Sequence, residues 1–172
     1  RSDLDVALFD IVGSSQRDFT SLPAEIQTLA RAFADGYNFF LEHNPEVTPR
    51  LISRMEPWHV LAFERYMILP RLLGAAHAPS REVTRLEAEE LASLGSNQWA
   101  IGPDRTRNGT AMLFINPHQP WYGSGMFTEM HVKSASGWDF SGAMYPGAPF
   151  PTAGFNNHLG WAYTVNEADI SD

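Results

Sequence analysis

The sequence predicts an α+β fold, helical in its first half and antiparallel β in its second. The first observation behind this is a shift of composition near residue 95. Residues 1–95 hold nine Arg, no Lys, fourteen Asp or Glu and four glycines, whereas residues 96–172 hold nine charged side chains, nine glycines and four of the five tryptophans. Charge-laced, glycine-poor sequence suits helices, and glycine-punctuated aromatic sequence suits strands and turns. The second observation is hydrophobic spacing. Apolar residues recur at three and four in the first half, then fall into short runs between Gly, Pro and Asn clusters. At 172 residues the chain is long enough to bury a core in one or two domains.

Thr20 or Ser21 caps the first clear helix, with Pro23 in its opening turn and a run from Ala24 to about Leu41. Its positions Ile26, Leu29, Ala30, Phe33, Tyr37 and Phe40 make one apolar stripe. Gly36 interrupts the stripe, and because a helical Gly costs about 1 kcal/mol relative to Ala, close packing is expected there. Pro45 and Pro49 close the unit. A second helix is expected after Met55-Glu56-Pro57, from Trp58 through Met67 until Pro70 disturbs it, and a third from Ser80 to about Leu94. The acidic run Glu87–Glu90 reads as a solvated face. Strands are expected at 98–101 and 111–115 around a turn ending in Asn108-Gly109, then at 127–132, 138–144 and 159–165.

Twelve basic against twenty acidic side chains give a net charge of −8 and a pI near 5.1, which disfavours nucleic acid or an anionic membrane as partner. The absence of Cys removes disulfides, a thiolate zinc site and a thiol nucleophile while leaving the compartment open. No apolar run approaches the ~18 residues of a transmembrane helix. The chain opens Arg1-Ser2-Asp3 and is read as a segment of a longer protein.

His43, His59, His77, His118, His131 and His158 show no metal-binding spacing, and Gly123-Ser124-Gly125 lacks the flanks of a nucleophile elbow. The unusual stretch is Leu94-Gly95-Ser96-Asn97, where a helical segment meets the first strand. Two readings of it stay open. One is a helix-ending glycine followed by a turn serine. The other is a self-cleavage site, because Gly95 offers an unobstructed carbonyl to the Ser96 hydroxyl. Cleavage would leave Ser96 with its own base, an α-amine whose reference pKa is about 7.7–8.0.

Four motifs weight the choice. Gly95-Ser96-Asn97-Gln98-Trp99-Ala100-Ile101-Gly102, Asn116-Pro117-His118-Gln119-Pro120-Trp121, and the stretch from Asn157 to Asn166 followed by Ala168–Asp172 lie in the second half. Phe33-Ala34-Asp35-Gly36-Tyr37-Asn38 lies in the first. Together they resemble the penicillin acylase family of N-terminal nucleophile (Ntn) hydrolases, nearest its acyl-homoserine-lactone, aculeacin and cephalosporin acylase branches. The resemblance implies an exported, periplasmic or secreted precursor that cuts itself into α and β chains, which fold together as an αββα sandwich. Residues 1–78 then correspond to the end of the α chain, 79–95 to its tail and the spacer, and 96–172 to the start of the β chain.

The same resemblance implies Ser96 as nucleophile, Gly95–Ser96 as the bond cut, His118 as the residue beside the nucleophile, and the Val165 N–H as an oxyanion donor. The second oxyanion donor falls beyond residue 172. Gln119 and Trp121, with Ile68, Arg71 and Leu72 from the helix, correspond to substrate-binding positions. A polar Gln119 suits a long alkyl chain poorly unless it points away. No cofactor is implied for catalysis. Asp169, Asp172 and the Ser171 carbonyl match a structural Ca²⁺ site found in part of the family, although a pair of solvated turn aspartates explains them nearly as well. The implied activity is removal of an acyl group from N-acylated small molecules such as acyl-homoserine lactones or β-lactams. The alternative is a secreted binding module, or an uncleaved degenerate member, that uses Trp121, Tyr122 and Trp138 as stacking platforms for sugars.

Overall fold

The computed structural model describes residues 2–73, 95–121, 123 and 125–164. The chain divides into two compact units, Arg1–Ala78 with Gly147–Pro149, and Pro79–Pro146 with Phe150–Asp172. The first is helical and the second is antiparallel β, so the expected mixed architecture is present.

In the helical unit, α1 (Ser2–Leu8) and α2 (Ile11–Asp18) meet at Asp10, whose backbone is left-handed at φ 46°. Asp10 also receives the Arg17 guanidinium at 2.7 Å. Ile11 and Ser15, one helical turn apart, are both buried, and α2 packs on α4 (Trp58–Leu73), whose Val60 is 2% exposed. Asp18, on the same face as Ser15, pairs with Arg65 of α4 at 2.7 Å. A 3₁₀ turn, Phe19–Ser21, buries Phe19, and the Arg31 guanidinium lies 5.3 Å from its ring centroid.

α3 (Ala24–His43) starts at Pro23 and stops at Asn44, close to the expected bounds. Its stripe is narrower than its spacing suggested. Ala30 and Ala34 are buried, but Phe40 is half-exposed, and a Cβ placed on Gly36 meets nothing within 4 Å among the described residues. Among those residues the close packing expected at Gly36 is therefore absent. The link to α4 is fixed by side chains of α3 instead. Asn38 Nδ2 donates to the Met55 carbonyl at 2.9 Å while Asn38 Oδ1 accepts from the Met55 N–H at 2.8 Å, and the Tyr37 hydroxyl donates to the Ile52 carbonyl at 2.7 Å. α4 does not break at Pro70 but runs on to Leu73. The third expected helix, 80–94, lies outside the described residues.

The β unit holds a two-stranded ribbon, β1 (Gly95–Ile101) with β2 (Met112–His118), and a four-stranded meander. The ribbon is longer than predicted at the end that carries Gly95, Ser96 and His118. The meander is β3 (Thr128–Lys133), β4 (Asp139–Met144), β5 (Ala153–Phe155) and β6 (Gly160–Trp161), each antiparallel to the next. β5 was not predicted, and the expected strand 159–165 forms ladder pairs only at Gly160–Trp161 among the described residues. Gly142 and Gly154 face each other across β4 and β5, with the Phe140 ring over both. A Cβ on either would run into the other strand's backbone, and Gly154 sits at φ 153°. Phe140, 2% exposed, stacks on Trp161 at 5.1 Å, and Trp161 Nε1 donates to the Thr152 carbonyl at 3.2 Å. Asn156 Oδ1 closes the β5–β6 turn by accepting from the His158 and Leu159 N–H groups. Among the described residues, no helix is long and apolar enough to cross a membrane.

Candidate active site

Antiparallel pairing of β1 with β2 sets Gly95 opposite His118 and Ser96 opposite Pro117. Directly paired residues share a face, and the face alternates along each strand. Gly95, Asn97, Trp99 and Ile101 thus share one face with Met112, Phe114, Asn116 and His118. Ser96, Gln98 and Ala100 share the other with Leu113, Ile115 and Pro117. The first face is the more open: the Trp99 and Phe114 rings meet at a tilt, centroids 5.0 Å apart, yet each is at least half exposed. The second is covered in part by β6, since a Cβ on Gly160 would meet Leu113 Cδ2 at 2.6 Å.

Ser96 is half-buried on the covered face, and its hydroxyl donates to the Gly95 carbonyl oxygen. Oγ therefore lies beside the carbonyl it would have to attack. His118 is exposed on the opposite face, where its Nδ1 stands 3.4 Å from the position a Gly95 Cβ would take. Among the described residues, no hydrogen bond joins His118 to Ser96. The imidazole borders the N-terminal side of the serine rather than its hydroxyl.

Gln119 follows β2 and is half-buried, and its Oε1 is shut off from solvent with no hydrogen-bond partner among the described residues. The buried Gly125 packs against it: a Cβ there would meet Pro120 Cγ at 3.0 Å and Gln119 Oε1 at 3.5 Å. Trp121 is 91% exposed. Ile68 is half-exposed on α4, and Arg71 and Leu72 lie in the last turn of that helix. Val165, Asp169, Ser171, Asp172 and Tyr122 fall outside the described residues. Among the described residues, no group of His, Asp and Glu side chains could hold a metal ion.

Away from this ribbon, His131 Nε2 lies 2.7 Å from Asp139 Oδ1 across β3 and β4, with Lys133 Nζ 3.4 Å from Asp139 Oδ2. Hydrogen bonds from His131 and then Lys133 hold the Asp139 carboxyl below its usual range. This is a surface cross-strand cluster.

Comparison with known proteins decides the family. The penicillin amidase family profile matches residues 1–172. The chain belongs to the penicillin amidase family. Among its relatives, the acyl-homoserine lactone acylase PvdQ of Pseudomonas fluorescens (strain Pf0-1) is 32% identical over 85% of this chain and 22% of its own length. The aculeacin-A acylase of Actinoplanes utahensis is 36% identical over 58% of this chain and 13% of its own. The penicillin acylase 2 proenzyme of Pseudomonas sp. (strain SE83) is 27% identical over 91% and 28%. The chain thus spans about a fifth of the length of the curated relatives it matches. All three relatives are named acylases.

Sequence reasoning missed Asn38 and Tyr37 as the residues that fix the link into α4, although both sit in the first-half motif. It also missed Asn156, Gly142 and Gly154, which shape the approach to β6. The signal for the glycines was present but weak: a lone Gly in a strand marks a bulge or a close approach without naming the partner.

Proposed function

We propose that this chain forms the nucleophile-bearing part of an N-acyl amide hydrolase with Ser96 as the reacting residue. The observation that carries the proposal is the β1–β2 register, which sets Gly95 against His118 next to Ser96, whose hydroxyl donates to the Gly95 carbonyl oxygen. Membership of a family whose relatives are named acylases supports the same reading.

In the first step, Ser96 Oγ adds to the Gly95 carbonyl carbon, the C–N bond breaks, and nitrogen takes up the hydroxyl proton. Water then hydrolyses the resulting ester, giving a Gly95 carboxylate and a Ser96 with free hydroxyl and α-amine. His118 becomes relevant at this point. Its ring lies alongside Gly95, and once that bond is cut the imidazole orients the freed α-amine as an acceptor. Through a bridging water, the amine takes the hydroxyl proton as Ser96 attacks the substrate amide. An acyl-Ser96 ester forms, the amine half leaves with the proton, and water releases the acid. The Val165 N–H stabilises the oxyanion in both halves.

The remainder of the proposal follows the family. Residues 1–78 end an α chain, 79–95 form its tail and spacer, and 96–172 open a β chain. The two associate as a heterodimer in an αββα sandwich, in the periplasm or outside the cell. Substrates are N-acylated small molecules such as acyl-homoserine lactones or β-lactams, held also by Trp121, Ile68, Arg71 and Leu72. Asp169, the Ser171 carbonyl and Asp172 would hold a calcium ion in a structural role.

Trp121, 91% exposed, favours a second reading as an uncut binding module that stacks ligands on open aromatics. Intact mass and N-terminal sequencing of the complete gene product separate the two. A new N-terminus reading Ser-Asn-Gln-Trp, lost in Ser96→Ala together with amide hydrolysis, is expected of the hydrolase. A folded, uncut wild-type chain favours the binding module.

A further inference from the structure

The loop that joins β1 to β2 has no part in the proposed chemistry, yet it holds the one asparagine of this sequence that is followed by glycine. The other seven asparagines precede Phe, Pro, Gln, Asn, His or Glu. Asp104, Arg105, Arg107, Asn108 and Gly109 are all exposed, and a loop tip so rich in charge is a surface feature rather than a packing face. Gly109 takes the left-handed conformation at φ 69°, and a Cβ placed on it meets nothing within 4 Å among the described residues. The segment is open to water.

The Asn108 side chain curls forward over the Gly109 amide. Its Oδ1 accepts the Thr110 N–H at 3.3 Å, closing an Asx turn. Such a ring carries Cγ close to the intervening nitrogen of Gly109. The same hydrogen bond draws electrons from the side-chain carbonyl, which makes Cγ a better electrophile. Among the described residues the Gly109 N–H has one acceptor, the Thr106 carbonyl at 3.4 Å, longer than an ordinary N–H···O bond. Little is therefore lost when its proton leaves. Glycine adds no side chain to obstruct the approach.

We propose that Asn108 is a site of spontaneous deamidation in the folded protein, passing through a cyclic imide and independent of Ser96. Hydroxide takes the Gly109 amide proton, the nitrogen adds to Asn108 Cγ, and the adduct expels the side-chain nitrogen as ammonia. Water then opens the five-membered imide. Breaking the bond to Cγ leaves an ordinary aspartate, whereas breaking the bond to the backbone carbonyl carbon leaves an isoaspartate, with the chain rerouted through Cβ and Cγ. In balance, one water is consumed, one ammonia is released, and the loop gains one negative charge and one dalton.

The test uses the complete gene product, incubated folded at neutral and mildly alkaline pH, with tryptic peptide mapping by mass spectrometry over time. Expected is a one-dalton gain on the peptide that begins at Asn108, in two chromatographic forms from the two openings. It should accumulate roughly tenfold faster than at any other asparagine, and faster as hydroxide rises. Asn108→Gln, whose imide would need a six-membered ring, keeps a side-chain amide and should lose the gain. The same chain in guanidinium chloride supplies the rate without the turn, and the folded protein should come within about tenfold of it. A folded rate lower than that, or a gain that persists in Asn108→Gln, overturns the proposal and leaves the acylase reading untouched.

Discussion

Replacing Asn38 by Ala should destabilise the helical unit far more than replacing its neighbour Tyr37 by Phe. The Asn38 amide makes two hydrogen bonds to one residue seventeen positions on, giving the Met55 N–H an acceptor at 2.8 Å and the Met55 carbonyl a donor at 2.9 Å. It does for the loop what a neighbouring strand would do. Met55 is 7% exposed, so its backbone groups have little access to water once Asn38 is gone. Each orphaned group costs about 1–3 kcal/mol, and partial hydration at the half-buried site brings the pair to about 2–4 kcal/mol. That is a large share of the ~5–15 kcal/mol that holds a typical fold. Tyr37→Phe removes one exposed hydrogen bond, from the hydroxyl to the Ile52 carbonyl, and should cost about 1 kcal/mol or less. Asn38→Asp keeps the acceptor but turns a carboxylate toward the Met55 carbonyl, and should fall between them. The assay is urea unfolding of the complete gene product, followed by tryptophan fluorescence, with a constant denaturant slope required across variants. If Asn38→Ala lies within about 0.5 kcal/mol of wild type, or costs no more than Tyr37→Phe, the clamp does not hold the α3–α4 link.

Gly154→Ala should cost about 3 kcal/mol or more in the same unfolding experiment, because the new Cβ meets β4 backbone at a φ that disfavours side chains; Gly36→Ala, with open space around it, should be neutral or stabilising and serves as the control. His118→Ala should lower kcat at least tenfold with little change in unfolding midpoint, since the exposed ring makes no hydrogen bond among the described residues; equal loss of activity and stability would mark it as structural. For His59, burial lowers the imidazole pKa below 6.5, and the neutral ring accepts the Glu56 N–H at 3.0 Å. Its folded form resists protonation more than its unfolded form, so this contribution is present above about pH 6.5 and lost as the pH falls. Thermal melts from pH 7.5 to 5.5 should show a fall that is reduced in His59→Gln, and parallel curves would refute the assignment.

The sequence by itself determined the division into helical and β halves, the bounds of α3 to within about two residues, the start of α4 at Trp58, and the β1–β2 hairpin around Asn108-Gly109. It also located the Gly95–Ser96 junction. Those features rest on local chemistry: glycine and proline limit backbone angles, and periodic apolar residues mark one face of a helix. The tertiary structure alone decided the rest. Pro70 stays inside α4, against the expectation that it would end the helix. Gly36 looked like a contact point, yet no described residue lies near it, because helical spacing says which face is apolar but not what arrives there. The short strands β5 and β6 depend on Gly142, Gly154 and Gly160 lying against partners from distant segments, a condition invisible in any local window. The same holds for the reacting region. Ser96 and His118 were legible as a pair, but only the strand register shows that they take opposite faces, with the imidazole at Gly95. In a pleated ribbon a shift of one residue exchanges the faces, and that shift is fixed by pairing across the whole ribbon rather than by the identity of either residue.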